Sequence, residues 1–244
     1  KFPEKLARTG KVVSVITRQQ IQASIGKGFG ELLQETVGIS VVGSRSAPGT
    51  NQEVYVRGAN TGQVLLLIDG FPANDPSHIS SVMDWNLVNL ANLERIEILK
   101  GGQSTLYGSD AMAAVINLVT DRSSNSLTLQ GGGLGTHAES VQLQKQLGKW
   151  QIGVSAQNTR TTGFSSAANQ PEKDGFTQQN VRVRLGRSVF AHSDWELNYQ
   201  SEFYRGNLDA GPYVDDQDYT SKASNHAFRG QWHTQFDRGD LFIR

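Results

Sequence analysis

Two patterns of apolar and polar residues divide the chain near Asp121. Before that point, apolar residues form short continuous runs such as "VLLLI", Val64–Ile68, which is typical of a strand buried on both faces. After it, apolar and polar residues alternate strictly, as in "WQIGVSAQN", which begins at Trp150. Alternation with a period of two predicts strands with one apolar and one polar face.

The first pattern predicts a small α+β domain over residues 1–121. "KVVSVITRQQI" reads as a strand followed by a helix, with Thr17 as the N-cap. In "FGELLQETVGIS" we predict a short helix that carries Leu32, Leu33 and Val37 on one face and ends at Gly38. "QVLLLIDG", "ERIEILKG" and "AAVINLVT" are predicted to be strands of the same domain.

The second pattern predicts the N-terminal part of a transmembrane antiparallel β-barrel over residues 122–244. The strands are about ten residues long, and they are joined alternately by short turns such as "LGKW" and by long loops. Trp150 and Trp195 lie near strand ends, where barrels carry their interfacial aromatic residues. A soluble antiparallel sandwich also alternates and is the competing interpretation.

Composition removes several classes of function. Lys+Arg and Asp+Glu are both 23, so net charge gives no argument for nucleic-acid binding. The chain has no cysteine, and its 5 histidines show no metal-ligand spacing. No apolar run approaches the roughly 20 residues of a membrane helix. Phosphate-loop and nucleophile-elbow motifs are absent from the sequence, so nothing in it indicates an enzyme.

Four motifs in the first half occur in an order and spacing that together are highly specific. They are Arg57-Gly58, "LIDG" at Leu67–Gly70, "ERIEILKG" at Glu94–Gly101 and "LYGSDAMAAVINLVT" at Leu106–Thr120. With them the first half resembles the plug domain of TonB-dependent outer-membrane receptors. The resemblance implies a plug inside a barrel in the bacterial outer membrane, in contact with its lipid. It also implies a small-molecule nutrient as substrate, and the TonB–ExbB–ExbD complex as the source of energy.

The resemblance also predicts a longer protein than these residues. A lumen filled by such a plug needs a barrel of about 22 strands, whereas we count about seven strand signals after Asp121. We therefore expect the sequence to be the front part of a longer chain, with the TonB-binding segment upstream of Lys1.

Within this family the layout is most similar to that of cobalamin (vitamin B12) transporters, in which two extracellular loops bind calcium. The resemblance places calcium ligands at Glu172 and Asp174 in one loop, and at Asp209 with one of Asp215, Asp216 or Asp218 in the next. Ser165 stands where the family has a further aspartate, which departs from the pattern. A solvated acidic loop without a bound ion is the alternative interpretation.

Other candidate residues lie in the first half. Phe71, Asn74 and Asp75 follow the "LIDG" strand at an exposed turn, and we expect them to contact the substrate. Arg57 and Arg95 are similar to the plug arginines that face carboxylates of the barrel wall, although each could instead form an ordinary surface ion pair.

Several alternatives remain open on the sequence alone. A ferric siderophore or haem receptor is the second choice, for which His78 in an apical loop is a weak candidate, and an oligosaccharide or peptide importer is the third. A structural subunit of an envelope complex is the alternative from a different class. A surface lipoprotein is a further partner that the resemblance leaves open.

Overall fold

The computed structural model describes residues 12–75, 82–165, 167–168, 172–190, 192–211, 213, 216, 218–236 and 239–243. The chain divides into two compact units, one formed by residues up to 45 and by 51–121, the other by 46–50 and 122–244. The change from the first unit to the second after Asp121 coincides with the change in hydrophobic pattern. Each unit has its own architecture.

The first unit combines short helices with two antiparallel or mixed sheets. Its five-stranded sheet has the order β1-β6-β7-β4-β5, in which only β4 and β7 are parallel, while β2 and β3 form a separate antiparallel pair. The elements are β1 (Val12–Thr17), α1 (Arg18–Ala23), α2 (Phe29–Gln34), β2 (Ile39–Val42), β3 (Glu53–Val56), β4 (Val64–Ile68), β5 (Phe71–Pro72), β6 (Leu93–Lys100), α3 (Ser104–Tyr107) and β7 (Ala114–Thr120).

The two predicted helix starts are formed, but one predicted apolar face is wrong. Thr17 caps α1 through a reciprocal capping box with Gln20, as the sequence predicted. Leu32 and Leu33 are buried in α2, whereas Val37 is 88% exposed. The prediction for Val37 failed because α2 already ends at Gln34, so the helical period no longer applies three residues later.

The "LIDG" motif forms a tight turn that is tied to the last strand of this unit. Every residue of β4 is buried, and Asp69 follows it with a positive φ of 52°. The Asp69 carboxylate accepts hydrogen bonds from the backbone N–H of Thr120 at 2.9 Å and from its hydroxyl at 2.8 Å. The backbone N–H of Gly70, the residue after Asp69, donates to the side-chain oxygen of Asn117. The motif therefore closes the end of β4 onto β7.

The second unit contains one seven-stranded antiparallel sheet in which every strand pairs with its neighbours in sequence. We predicted about seven strands. The strands are β8 (Ser126–Gly131), β9 (His137–Leu147), β10 (Trp150–Thr161), β11 (Phe176–Phe190), β12 (Ser193–Asn207), β13 (Thr220–Phe236) and β14 (Gly239–Ile243).

The faces of this sheet have the reverse of the burial found in a soluble domain. Polar residues such as Gln142, Gln200 and Glu202 are almost completely buried. Apolar residues on the opposite face, such as Phe228 at 81% and Leu143 at 58%, are exposed. A soluble sandwich would bury the apolar face. The arrangement instead suits strands whose apolar face meets lipid.

Aromatic residues mark the end of the exposed face that carries the short turns. The indole rings of Trp150 and Trp195 meet edge to face at a centroid distance of 5.8 Å. The guanidinium of Arg187 lies 4.8 Å from the centre of the Trp150 ring, a favourable cation–π geometry. Trp232 continues this line on β13, opposite Trp195.

Among the described residues, no helix has the length and apolarity needed to cross a membrane.

Candidate functional site

Three of the predicted calcium ligands come together from two loops of the second unit. Glu172 and Asp174 lie in the connection between β10 and β11, and Asp209 lies in the connection between β12 and β13. One carboxylate oxygen from each residue lies within 4.8 Å of those from the other two. Asp209 follows Asp174 by about 35 residues in sequence, so the pairing of strands brings it to the other two carboxylates.

The pairing of β11 with β12 places the acidic residues next to one another. Phe176 pairs with Gly206 at the end of the ladder. Beyond it, the N–H of Asn207 donates to the carbonyl of Gly175 at 2.9 Å. This extra bond holds the two loops side by side where they leave the sheet.

A glycine at the start of the first loop allows the backbone to approach Asp174. Gly163 has a φ of +67°, and a Cβ there would lie 1.9 Å from the carbonyl oxygen of Asp174. A residue with a side chain would have to move that backbone and would also be strained at this φ. The sequence did not predict this role, although a glycine two residues after the end of a strand is a signal that could have identified it.

Backbone and hydroxyl donors hold the Asp209 carboxylate in place. One oxygen accepts from the N–H of Ala167 at 2.6 Å and from the hydroxyl of Ser165 at 3.2 Å, and the other accepts from the N–H of Asp216 at 3.4 Å. Ser165, the position that departs from the family pattern, therefore contacts the cluster without adding a charge. Ala167 contributes through its backbone, which a motif of side chains does not reveal.

The other predicted acidic ligands are placed differently. The carboxylate of Asp216 accepts the N–H of Asp218 at 3.1 Å. Within the described part of the chain, neither residue belongs to the three-carboxylate cluster. Asp215 lies outside the described residues.

The geometry of the three carboxylates fits a calcium ion. Calcium takes six to eight oxygen ligands at about 2.4 Å, so two ligand oxygens on opposite sides of the ion are about 4.8 Å apart. Three carboxylates supply three ligand oxygens, or up to about six if each carboxylate binds the ion through both of its oxygens. Asp174 is completely buried, and burying a carboxylate is costly unless positive charge or donors compensate it. The three carboxylates are ligands that suit a hard cation, with water or carbonyl oxygens completing its coordination.

The residues predicted to contact substrate surround a turn of the first unit. Asn74 uses both ends of its side-chain amide on β4, accepting the N–H of Leu66 at 2.8 Å and donating to the carbonyl of Val64 at 3.3 Å. Phe71 lies in β5 and is half-buried, while Asp75 is exposed. Asn74 thus has a structural role in shaping the turn, and contact of all three residues with substrate stays a prediction.

The two predicted plug arginines have these surroundings in the first unit. Arg95 donates to Glu97 and to Glu94, each at 2.8 Å. Arg57 has a positive φ of 51°, and its N–H donates to the carbonyl of Gly38. Burial, together with the nearby charge of Arg57, lowers the pKa of the Lys100 ammonium. Contact of Arg57 and Arg95 with barrel carboxylates stays a prediction. His78 lies outside the described residues.

Comparison with known proteins identifies the first unit. The TonB-dependent receptor plug domain matches residues 5–115 of this chain. The match covers all four motifs apart from the last residues of the fourth.

Curated relatives extend the similarity into the second unit. The chain is 30% identical over 216 residues to the vitamin B12 transporter BtuB of Photobacterium profundum, covering 86% of this chain and 35% of that protein. It is 30% identical over 213 residues to the vitamin B12 transporter BtuB of Vibrio cholerae, covering 84% of this chain and 34% of that protein. The chain therefore spans about a third of the length of these relatives.

Solved structures share the fold at lower sequence identity. The ferric enterobactin receptor PfeA of Pseudomonas aeruginosa superposes with a TM-score of 0.75 at 17% identity, over 94% of this chain and 40% of that one. The siderophore receptor PirA of Acinetobacter baumannii gives a TM-score of 0.73 at 17% identity, over 93% and 38% of the two chains. At this identity the likeness establishes the fold, a plug domain followed by antiparallel barrel strands.

Proposed function

This chain belongs to the family of TonB-dependent outer-membrane receptors, and from that membership we propose that the whole protein actively imports a scarce nutrient across the outer membrane. Two features support the proposal. The match to the plug domain covers most of the first unit, and the sheet of the second unit exposes apolar side chains on one face while several polar side chains of the other face are buried. A strand with these faces crosses lipid and turns its polar side inward.

We propose cobalamin, or another corrinoid, as the nutrient. The observation that carries this choice is the meeting of Glu172, Asp174 and Asp209 from two loops. The two relatives at 30% identity, both vitamin B12 transporters, favour the same substrate. The siderophore receptors match at 17% identity, which supports a common fold and carries no argument about substrate.

Calcium has a structural role in this proposal. Glu172, Asp174 and Asp209 would hold the ion, which would neutralise their mutual repulsion and link the two loops. Because an ion that binds only the ordered loops stabilises them by mass action, calcium would lower the entropic cost of forming the substrate site. Substrate affinity should then rise with calcium concentration until the site is saturated.

The energy would come from the TonB–ExbB–ExbD complex acting on the segment that precedes β1. Among the described residues, strand β1 lies at the edge of its sheet and pairs with β6 alone. An edge strand is held by one ladder of hydrogen bonds, so a pull on its N-terminal end would detach it before the central strands. A surface lipoprotein that covers the loops is a further partner to be tested by co-purification.

Calorimetry on the full-length receptor tests the proposal. We expect cyanocobalamin to bind, and to bind at least about tenfold more tightly with calcium than with a chelator, a difference of about 1.4 kcal/mol. A ferric siderophore and haem serve as comparison ligands. Binding of either one in place of cyanocobalamin would refute the corrinoid assignment, and binding of none would refute the role as a nutrient receptor for these classes.

A further inference from the structure

A line of side chains, all basic except for one threonine, crosses the exposed face of the seven-stranded sheet at the end that carries the long loops. The registers of five neighbouring strands place these residues directly opposite one another. We call this line the basic row, and it consists of His137, Arg160, Thr177, Arg205 and Lys222. All of them are exposed except Thr177, which is half-buried.

A second line crosses the same face near the short turns. It is the tryptophan row, formed by Leu147, Trp150, Arg187, Trp195 and Trp232. On each strand the two rows are ten residues apart, for example from Trp150 to Arg160. Ten residues of strand rise about 34 Å, which is about 26 Å in height at a tilt of about 40°.

That height places the basic row at a membrane interface. The apolar band of an outer-membrane barrel is about 25 Å tall and is bounded by interfacial residues at both edges. Between the rows the exposed face carries mainly apolar residues, among them Leu143, Val154, Val183, Leu197 and Phe228. With the tryptophan row at one edge, the basic row lies at the opposite edge, at the level of lipid headgroups beside the extracellular loops.

The cations of the basic row have no protein partner within the described part of the chain. No hydrogen bond or ion pair joins the side chains of Arg160, Arg205 or Lys222 to another described residue. Arg205 and Lys222 are directly opposite each other, and like charges in that position repel. The nearest acidic residue on this face, Glu139, lies one row further in and accepts a hydrogen bond from Asn158.

Arginines on the opposite, polar face of the same sheet do have protein partners. Arg184 donates to Gln144 at 2.7 Å, and Arg229 donates to Gln200 at 3.0 Å. The lack of protein partners is therefore a property of the basic row and not of every arginine in the sheet.

We propose that the basic row binds the phosphate groups of lipids in the outer leaflet of the outer membrane. Arg160, Arg205 and Lys222 would contact the phosphates through charge-assisted hydrogen bonds, which relieves the repulsion between Arg205 and Lys222. Thr177 offers a hydroxyl between the two arginines. The inference depends on the proposed position in the membrane but not on the identity of the nutrient.

Lipid binding by the full-length receptor in neutral detergent micelles tests the proposal. The probe is lipid A carrying both of its phosphates, compared with the same lipid after both phosphates are removed, and with inorganic phosphate as a competitor. One basic side chain near an anionic lipid surface contributes roughly a fivefold gain in affinity. The double variant Arg205→Gln/Lys222→Gln should therefore bind the phosphorylated lipid about thirtyfold more weakly.

Two matched variants separate charge at this place from charge in general. Lys145→Gln/Lys149→Gln removes the same charge near the short turns and should change lipid A binding by less than about threefold, because attraction to an anionic surface falls off within a Debye length. Arg205→Lys/Lys222→Arg keeps the charge and should retain binding. The thermal unfolding temperature reports whether each variant is folded, and cyanocobalamin binding, measured in parallel, tests the proposed nutrient separately.

Three results with the variants and the two lipids would each overturn the proposal. They are an equal loss in both glutamine variants, equal binding of the lipid without phosphates, and loss of binding in the variant that keeps the charge. Full competition by inorganic phosphate at millimolar concentration would also overturn it, because the site would then take free phosphate and not a lipid headgroup.

Discussion

Replacing Asp174 with asparagine removes one charge from the three-carboxylate cluster while keeping the size of the side chain and one oxygen. The carboxylate oxygens of the three residues lie within 4.8 Å of one another. At that distance each pair repels by about 0.9 kcal/mol in water and about 3.5 kcal/mol at an effective dielectric constant of 20. The substitution removes two of the three pairs, so it relieves about 2 to 7 kcal/mol of repulsion.

Asp174→Asn should therefore have opposite effects with and without calcium. Without the ion, the two loops should become more ordered, because less repulsion separates them. With the ion, the loops should gain little further order, because an amide oxygen is a weaker ligand than a carboxylate. We expect calcium affinity to fall at least about tenfold, which is about 1.4 kcal/mol.

Hydrogen exchange and calcium calorimetry on the full-length receptor measure both effects. Exchange in peptides that cover residues 162–175 and 208–219 reports loop order with calcium and with a chelator. Asp218→Asn is the control, because it makes the same change of charge in the second loop at a carboxylate outside the cluster. Unchanged calcium affinity in Asp174→Asn, or an equal loss in Asp218→Asn, would refute the assignment of the site.

Three other substitutions test the packing within each of the two units. Gly206→Ala should displace the segment 46–50, because the added Cβ would lie 3.0 Å from the carbonyl oxygen of Pro48. Faster hydrogen exchange of that segment would show the displacement. Gly239→Ala is the control and should show no change, because nothing lies within 4 Å of its added Cβ. Asp69→Asn keeps the positive φ that asparagine tolerates but loses a charged acceptor for two donors of β7, so β7 amides should lose about 1–3 kcal/mol of protection against exchange. Ile98→Ala should destabilise the core around β6 by about 2–5 kcal/mol, because Ile98 is completely buried, and unchanged exchange in β6 would contradict that packing.

The sequence predicted well those features that depend on local periodicity. Strict alternation identified the strands of the second unit, because side chains on a strand must alternate between its faces. Thr17 was identified as an N-cap for a similarly local reason, since its hydroxyl accepts the N–H of Gln20 within one turn. Val37 was misplaced because the end of a helix depends on competing turn and packing contacts, which a helical period does not contain.

The candidate site was predictable only in part. The resemblance to the family indicated Glu172, Asp174 and Asp209, and the pairing of β11 with β12 brings them together. The donors that hold Asp209 could not be read from the sequence, since a backbone N–H carries no residue signature. Asp216 and Asp218 have the same chemistry as Asp209, so only the path of their loop distinguishes them from it.

Uptake of radiolabelled cyanocobalamin tests the central claim most directly. The full-length receptor would be expressed in Gram-negative cells that lack their own cobalamin transporter, in matched strains with and without TonB. We predict that uptake is restored only in the strain with TonB and that it decreases when calcium is chelated. Uptake that is independent of TonB would contradict the energised mechanism, and no uptake of cyanocobalamin in either strain would contradict the proposed substrate.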